Sequence, residues 1–167
     1  MKKNLVIINN EKCSIKENDL YCENIEIKSL SENLKNKYNI KFLLRKGNIT
    51  PVYKIDKSNT KISSNILSFT KNLIISMIKD RADYLIISVT PYTFLSFLLL
   101  FLFKKKIFLY LRSDGKKEIS IIFGKKLSII YKIIENVMVK FSNLIVVNDL
   151  ISKKKKFHLV NPSQIDQ

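Results

Sequence analysis

The stretch "YLIISVTPYTFLSFLLLFLF", residues 84–103, is an uncharged, strongly apolar segment that decides between two kinds of protein. Its length permits a transmembrane helix. Pro91 argues against one, because it removes a backbone donor and disfavours the helical region at Thr90. The stretch is therefore predicted as a buried strand over residues 84–89 and a helix over residues 91–103 that Thr90 caps. A membrane protein anchored by residues 84–103 is the alternative.

Apolar runs and helical spacings alternate on both sides of this stretch. Further strands are predicted at residues 4–9, 40–44, 107–111 and 144–147, and helices at residues 21–38 and 66–77. One long helix is predicted to follow the turn after the 107–111 strand, with apolar residues repeating from Phe123 to Phe141, and a short basic helix to Lys156 and a last short element at "FHLV" complete the chain. A capping box at Ser29 and Glu32 leaves open a later start for the first helix. Residues 45–62 are predicted as a loop with at most a short strand at its end. This alternation predicts an α/β fold with a parallel sheet covered on both faces.

The charge balance is strongly basic. Lys and Arg number 30 against 14 Asp and Glu, for a net charge of +16, and only three of the 30 are Arg. Two explanations stay open: a surface selected to bind anions, or the Lys, Ile and Asn bias of an AT-rich genome. The scarcity of Arg argues against nucleic acid as a partner. Lys104–Lys106 and Lys153–Lys156 are candidates for peripheral contact with an anionic membrane, or for ordinary solvated faces.

The cysteines and glycines exclude several site types. Cys13 and Cys22 follow no secretory segment and form no zinc set with the distant His158, so we expect buried thiols in a reducing cytoplasm. Glycine occurs only at positions 47, 115 and 124, which rules out a dinucleotide fingerprint or a P-loop. The aspartates show no metal-ligand spacing. The sequence therefore predicts no cofactor and no metal.

Three polar turns are predicted at the carboxyl edge of the sheet, where ligands bind in open parallel sheets. They are Asn9-Asn10, residues 88–92 and residues 112–116. In the last of them, Gly115 would permit a backbone conformation closed to other residues, and Arg112 offers donors for phosphate. Asp114 is a candidate helix cap or base, and Arg112 is a candidate partner for it. The candidate site combines Asp114 as the catalytic residue with a binding set: Arg112, Ser113, Gly115, Asn9, Asn10, Thr90 and Tyr92.

Four segments carry a resemblance to a known family: "YCENIEIKSLSENL", "FLLRKGNI", "ISVTPYTFLSFLLLFLFKKKIFLYLRSDGKKE" and "SNLIVVN … HLVNPSQID". Together they resemble the N-terminal half of bacterial two-domain glycosyltransferases of the B-type fold, in the family-four-like group. The most specific part is the strand followed by "LRSDG".

The resemblance implies a single Rossmann-like domain over residues 1–160 that binds a glycan or lipid-linked acceptor in cell-surface polysaccharide synthesis. A separate domain would bind the nucleotide-sugar donor, and transfer would occur between the two, generally without a metal. Residues 161–167 resemble the start of the linker to that donor domain, which the sequence lacks, so we expect little activity from the chain alone. His158 is interpreted as structural. The alternative function is a small non-enzymatic α/β binding domain.

Overall fold

The computed structural model describes residues 2–147 and 157–160 of the chain, and within them it has the α/β architecture that the sequence predicts. The strands are β1 (Lys3–Lys16), β2 (Asp19–Cys22), β3 (Tyr38–Lys46), β4 (Tyr53–Ile55), β5 (Thr60–Ser63), β6 (Ala82–Ile87), β7 (Ile107–Leu111), β8 (Asn143–Val146) and β9 (Phe157–Leu159). The helices are α1 (Ile25–Leu34), α2 (Ile66–Lys79), α3 (Pro91–Leu102), α4 (Gly115–Phe123) and α5 (Lys125–Phe141). All nine of these strands belong to one mixed sheet.

The parallel part of the sheet has the order β5-β3-β1-β6-β7-β8-β9. The chain runs outward from β1 to β5, returns across β1 to β6, and then runs outward the other way to β9. This is the strand order of a doubly wound, Rossmann-like sheet, and its direction reverses between β1 and β6. The antiparallel part is small: β2 pairs with the far end of β1, and β4 pairs with β2.

Both faces of the sheet carry apolar side chains because successive strand residues point to opposite faces. Val6 and Ile8 of β1 join one core with side chains of α2, α3 and α5. Leu5 and Ile7 join the other core with side chains of α1, β2 and β4. A fully buried strand of this kind is apolar at every position, as the sequence pattern indicates.

The decisive stretch forms a strand, a turn and a helix. α3 begins with Pro91, and the Thr90 and Thr93 side chains each accept the other's backbone N–H, at 3.2 and 2.8 Å. This arrangement is a capping box, which satisfies free amides at the helix start. None of the helices in the described part of the chain combines the length and hydrophobicity needed to cross a bilayer. Residues 84–102 form the end of β6, a turn and α3 rather than one continuous helix.

The first predicted helix is shorter than its pattern. Tyr21 and Cys22 lie in β2, and α1 begins after Asn24, whose Oδ1 accepts the backbone N–H of Glu26 at 2.9 Å. The capping box at Ser29 does not start the helix, and Tyr38 already belongs to β3. The helical spacing extends past the helix because β2 and β3 also need apolar residues at these positions.

Three further boundaries differ from the prediction. β1 continues through the predicted turn at Asn9-Asn10 to Lys16. The predicted loop at residues 45–62 contains β4 as well as the expected strand at its end. The last long helix is divided, since Gly124, with φ +82°, separates α4 from α5. "FHLV" contributes β9, whereas the predicted basic helix before it and the predicted linker at residues 161–167 lie outside the described residues.

Candidate functional site

The crevice between the carboxyl ends of β1 and β6 is the expected ligand position in a sheet with this order. Asn9 of β1 pairs with Ile87, the last residue of β6, so the two strands reach this edge together. Beyond Asn9, β1 bends away to pair with β2, and its register with β3 shifts between Ile8 and Lys12. The bend begins at this edge of the sheet, beside the crevice at the end of β6. We call the polar side chains around it the switch-point cluster: Asn9, Asn10, Glu11, Glu26, Arg45, Ser88, Tyr92 and Arg112.

Arg112 follows β7 directly and extends over the crevice to α1. Its Nη1 lies 2.5 Å from Oε2 of Glu26, whose side chain is buried, and its Nη2 lies 3.5 Å from Ser88 Oγ. Ser88 has φ +64°, a left-handed conformation that is unfavourable for a residue with a side chain. Such conformations concentrate at functional sites. Ser88 and the buried carboxylate of Glu26 together hold the partly exposed Arg112 guanidinium at the end of β6.

Asn9 and Asn10 hold the opposite side of the crevice. Asn9 is only 4% exposed, its Oδ1 accepts the backbone N–H of Glu11 at 3.2 Å, and its buried Nδ2 has no hydrogen-bond partner within the described structure. Asn10 Oδ1 accepts a hydrogen bond of 3.0 Å from Arg45 Nη1. The Arg45 guanidinium stacks over the Tyr92 ring, 4.3 Å from its centroid, and Arg45 Nε is likewise buried and unpartnered there.

Glu11 is the titratable group of the cluster with the clearest perturbation. Burial raises the pKa of its carboxyl above the usual value, which the Asn24 side chain and the Arg112 charge only partly oppose. Glu11 and Glu26 together balance the charges of Arg45 and Arg112. The cluster is therefore a nearly neutral set of donors and acceptors in a crevice, and a carboxyl with a raised pKa in such a place is a candidate for proton transfer.

The predicted turn at residues 112–116 is split between two roles. Arg112 belongs to the cluster, and its partner is Glu26 rather than Asp114. Ser113 is exposed, and Asp114 caps α4, with Oδ1 accepting the Lys117 backbone N–H at 3.3 Å and Oδ2 lying 3.3 Å from Lys117 Nζ. Asp114 as a helix cap is therefore confirmed, whereas its role as a catalytic residue stays a prediction.

Gly115 has a different structural role from the predicted one. It is the first residue of α4 and does not have a positive φ. A Cβ at this position would overlap the hydroxyl of Tyr131 and lie 2.5 Å from its Cζ. The glycine is therefore required for the close approach of α5 to α4, and the positive φ occurs at Gly124 instead.

Thr90 and Tyr92 border the crevice without entering the hydrogen-bonded part of the cluster. Thr90 is occupied as the cap of α3. Tyr92 contacts Phe69 edge to face, with ring centroids 5.4 Å apart, and supports Arg45 from below. Tyr92 therefore contributes to the cluster through Arg45, whereas Thr90 fixes the start of α3.

An apolar groove of about 470 Å³ adjoins the cluster at Asn10. It lies between the start of α3 and the pair α4 and α5, and its apolar lining includes Val89, Pro91, Ile119, Phe123, Leu127 and Ile130. Polar and apolar ligand surfaces thus lie side by side at the same edge of the sheet.

Four members of the cluster were not predicted from the sequence: Glu11, Glu26, Arg45 and Ser88. Arg45 had a signal, since it directly follows the strand predicted at residues 40–44, at the same carboxyl edge as the predicted turns. Ser88 lay within the predicted turn at residues 88–92 without being chosen. Glu11 and Glu26 had none, because their positions depend on the bend of β1 and on the start of α1.

The cysteines and acidic residues form no metal site in the described residues. Cys13 and Cys22 face each other across β1 and β2 and are both buried and free. Burial raises the pKa of Cys13 to about 12 and that of Cys22 to about 11, so the unreactive thiol form dominates near neutral pH.

Comparison with known proteins adds no family to these observations. No protein-family model matches the chain, and no curated protein matches it either.

Proposed function

We propose that this domain binds the acceptor in a glycosyltransferase that transfers a sugar from a nucleotide-sugar to a glycan or lipid-linked acceptor in cell-surface polysaccharide synthesis. One observation carries the proposal. At the switch point of a Rossmann-like sheet, the cluster leaves two buried donors, Asn9 Nδ2 and Arg45 Nε, without a partner among residues 2–147 and 157–160. Buried donors are rarely left unpaired, so in this proposal the acceptor oxygens of the ligand supply the partners of these two groups.

The chemistry of such an acceptor suits the cluster. Sugar hydroxyls both donate and accept, which matches a set containing carboxylates, amides and guanidinium groups. A lipid-linked acceptor adds phosphate oxygens, which an arginine binds well, and an apolar chain, which the adjoining groove would hold.

In this proposal Glu11 accepts the proton of the attacking acceptor hydroxyl. The hydroxyl oxygen forms a bond to the anomeric carbon of the donor while the bond from that carbon to the diphosphate oxygen breaks, and the proton passes to the Glu11 carboxylate. Glu11 is preferred to Asp114 because the Asp114 carboxylate is committed to α4 and Lys117. Arg112 holds the acceptor against β6.

The nucleotide-sugar would bind to a second domain that closes over this edge. The sequence contains no glycine-rich phosphate loop of its own, which fits a division of acceptor and donor between two domains. The alternative function, a non-enzymatic binding domain, uses the same crevice without transfer.

Amide chemical shifts of the isotope-labelled protein test the binding step. The probes are uridine diphosphate glucose and a water-soluble alkyl diphosphate-linked N-acetylglucosamine. We expect the second probe to shift the signals of Asn9 and Ser88, and the double variant Arg112→Gln/Glu26→Gln to weaken that binding about tenfold or more. Replacing both partners leaves no unpaired buried charge, so the variant should fold. Arg81→Gln removes an exposed arginine elsewhere and is the control.

Two results decide against the proposal. The first is an acceptor probe that leaves the cluster signals unmoved, and the second is equal binding by the wild type and the double variant. Transfer is tested separately by the mass of the probe after incubation with nucleotide-sugars and an extract of cells expressing the chain. A hexose added by the wild type but not by Glu11→Gln favours the enzyme, and binding without such a mass favours the non-enzymatic alternative.

A further inference from the structure

The turn between α4 and α5 exposes a continuous apolar segment. Residues 121–127, "IIFGKKL", are exposed at all seven positions, and we call them the hairpin tip. Ile121 is 85% exposed, Ile122 67% and Phe123 59%. Single exposed apolar residues are common on protein surfaces. Three adjacent ones at a turn form an exposed hydrophobic patch, and such patches are typical of interaction sites.

The geometry of the two helices makes the tip project. Ser128 Oγ donates a hydrogen bond of 3.2 Å to the Lys116 carbonyl, and Tyr131 packs at Gly115, so the first turns of α5 lie against the first turn of α4. The residues between them must therefore loop outward. An added Cβ at Gly124 would meet nothing within 4 Å, which shows that the turn faces open space.

The charge beside the apolar residues is positive. Lys125 and Lys126 follow Phe123 after a single glycine, and residues 115–141 carry six lysines against two glutamates. Apolar side chains next to lysines are the combination that inserts into the interface of an anionic bilayer, where apolar burial and electrostatic attraction act together.

A second copy of the chain is a less favourable binding partner for the hairpin tip than an anionic bilayer. Each copy carries a net charge of +16, so bringing two basic surfaces together would be opposed by repulsion. The charge complementarity points to a negatively charged partner with an apolar interior.

We propose that the hairpin tip inserts into the surface of an anionic lipid bilayer and anchors the domain there peripherally. Phe123 and Leu127 of the tip also line the apolar groove, so insertion places the mouth of that groove, and with it the switch-point cluster, at the membrane surface. The anchoring proposal does not depend on sugar transfer, and it can fail or succeed independently of the proposed function.

Co-sedimentation with lipid vesicles tests the proposal on the full 167-residue chain. Vesicles of phosphatidylcholine with about 30% phosphatidylglycerol are compared with vesicles of phosphatidylcholine alone. The apolar variant is Ile121→Ser/Ile122→Ser/Phe123→Ser, and the charge variant is Lys125→Gln/Lys126→Gln. The matched control is Leu67→Ser/Ile78→Ser on α2, where both residues are 79% exposed but isolated from one another. Circular dichroism melts verify that each variant is folded.

We expect the wild type to bind the anionic vesicles at low salt and to bind the neutral vesicles at least tenfold more weakly. The apolar and charge variants should each lose about tenfold or more in affinity, and the α2 control should bind like the wild type. The proposal is overturned if the folded wild type ignores anionic vesicles, if the apolar variant binds unchanged, or if the α2 control loses as much as the tip variants. Wild-type dimers that the tip variant abolishes, without vesicle binding, would assign the tip to self-association instead.

Discussion

At the scale of single residues, Arg112 shows how far a local pattern reaches. Its place after a strand at the carboxyl edge makes it a candidate site residue from the sequence alone. Its partner Glu26 lies 86 positions earlier in the chain, on another element, and Ser88 comes from a third. The sequence therefore identifies the donor but not the acidic and strained residues that hold it in place.

Glu11 gives a prediction about pH. Burial raises the pKa of the Glu11 carboxyl in the folded protein. Between its ordinary pKa and this raised value, the unfolded chain releases the proton more readily than the folded protein does. The folded state therefore loses stability as the pH rises through that window. Glu11→Gln removes this cost. We expect the variant to melt at a higher temperature than the wild type at pH 7 and at about the same temperature at pH 4.

The control for this prediction is Glu32→Gln, because Glu32 is exposed and its ion pair with Lys28 is long, at 3.9 Å. It should change the melting temperature little at either pH. A Glu11→Gln variant that is less stable than the wild type at pH 7 would mean that the charged carboxylate makes favourable contacts that outweigh its burial.

At the scale of elements, the boundary between α4 and α5 is a feature that the apolar periodicity of the sequence does not predict. The apolar spacing up to Phe141 predicts one helix from the turn at residues 112–116 onward. Gly124, with φ +82° and ψ 173°, ends α4 and redirects the chain, and Gly115 allows the two helices to pack closely. A helix can tolerate an isolated glycine, so the glycine in the sequence does not by itself predict a break. Here the tertiary packing decides that the helix ends at Gly124.

Replacing Gly124 should therefore be costly. Its φ and ψ lie in a region that essentially only glycine occupies. We expect Gly124→Ala to lower the free energy of unfolding by about 1 to 3 kcal/mol, measured by urea denaturation.

Lys126→Ala, an exposed change at the start of α5, is the matched control for Gly124→Ala and should alter the stability by less than about 0.5 kcal/mol. If Gly124→Ala is as stable as the wild type, α4 and α5 form a continuous helix in solution.

At the scale of the whole molecule, the excess of positive charge acts on stability. A net charge of +16 on 167 residues is large enough for self-repulsion to destabilise the folded state. Salt screens this repulsion, since the Debye length is about 8 Å at physiological ionic strength and about 30 Å at 0.01 M. We expect the melting temperature to rise between about 0.01 and 0.15 M sodium chloride.

Lysine acetylation provides the comparison for the salt dependence. Acetylation removes most of the positive charge, so the acetylated protein should show a flatter dependence of melting temperature on salt. A melting temperature that falls with salt in the unmodified protein would show that its ion pairs, such as Lys41–Asp80, outweigh the repulsion.

The sequence by itself determined the α/β class, because buried parallel strands are apolar at every position and helices repeat every three to four residues. It also determined the strand, turn and helix at residues 84–102 and the Asp114 cap, since Pro91, Thr90 and Asp114 act on their immediate neighbours. Only the tertiary structure decided where β1 bends, that α4 and α5 separate at Gly124, and which side chains surround Arg112. Those features depend on contacts between residues far apart in the chain, and no local pattern encodes such contacts.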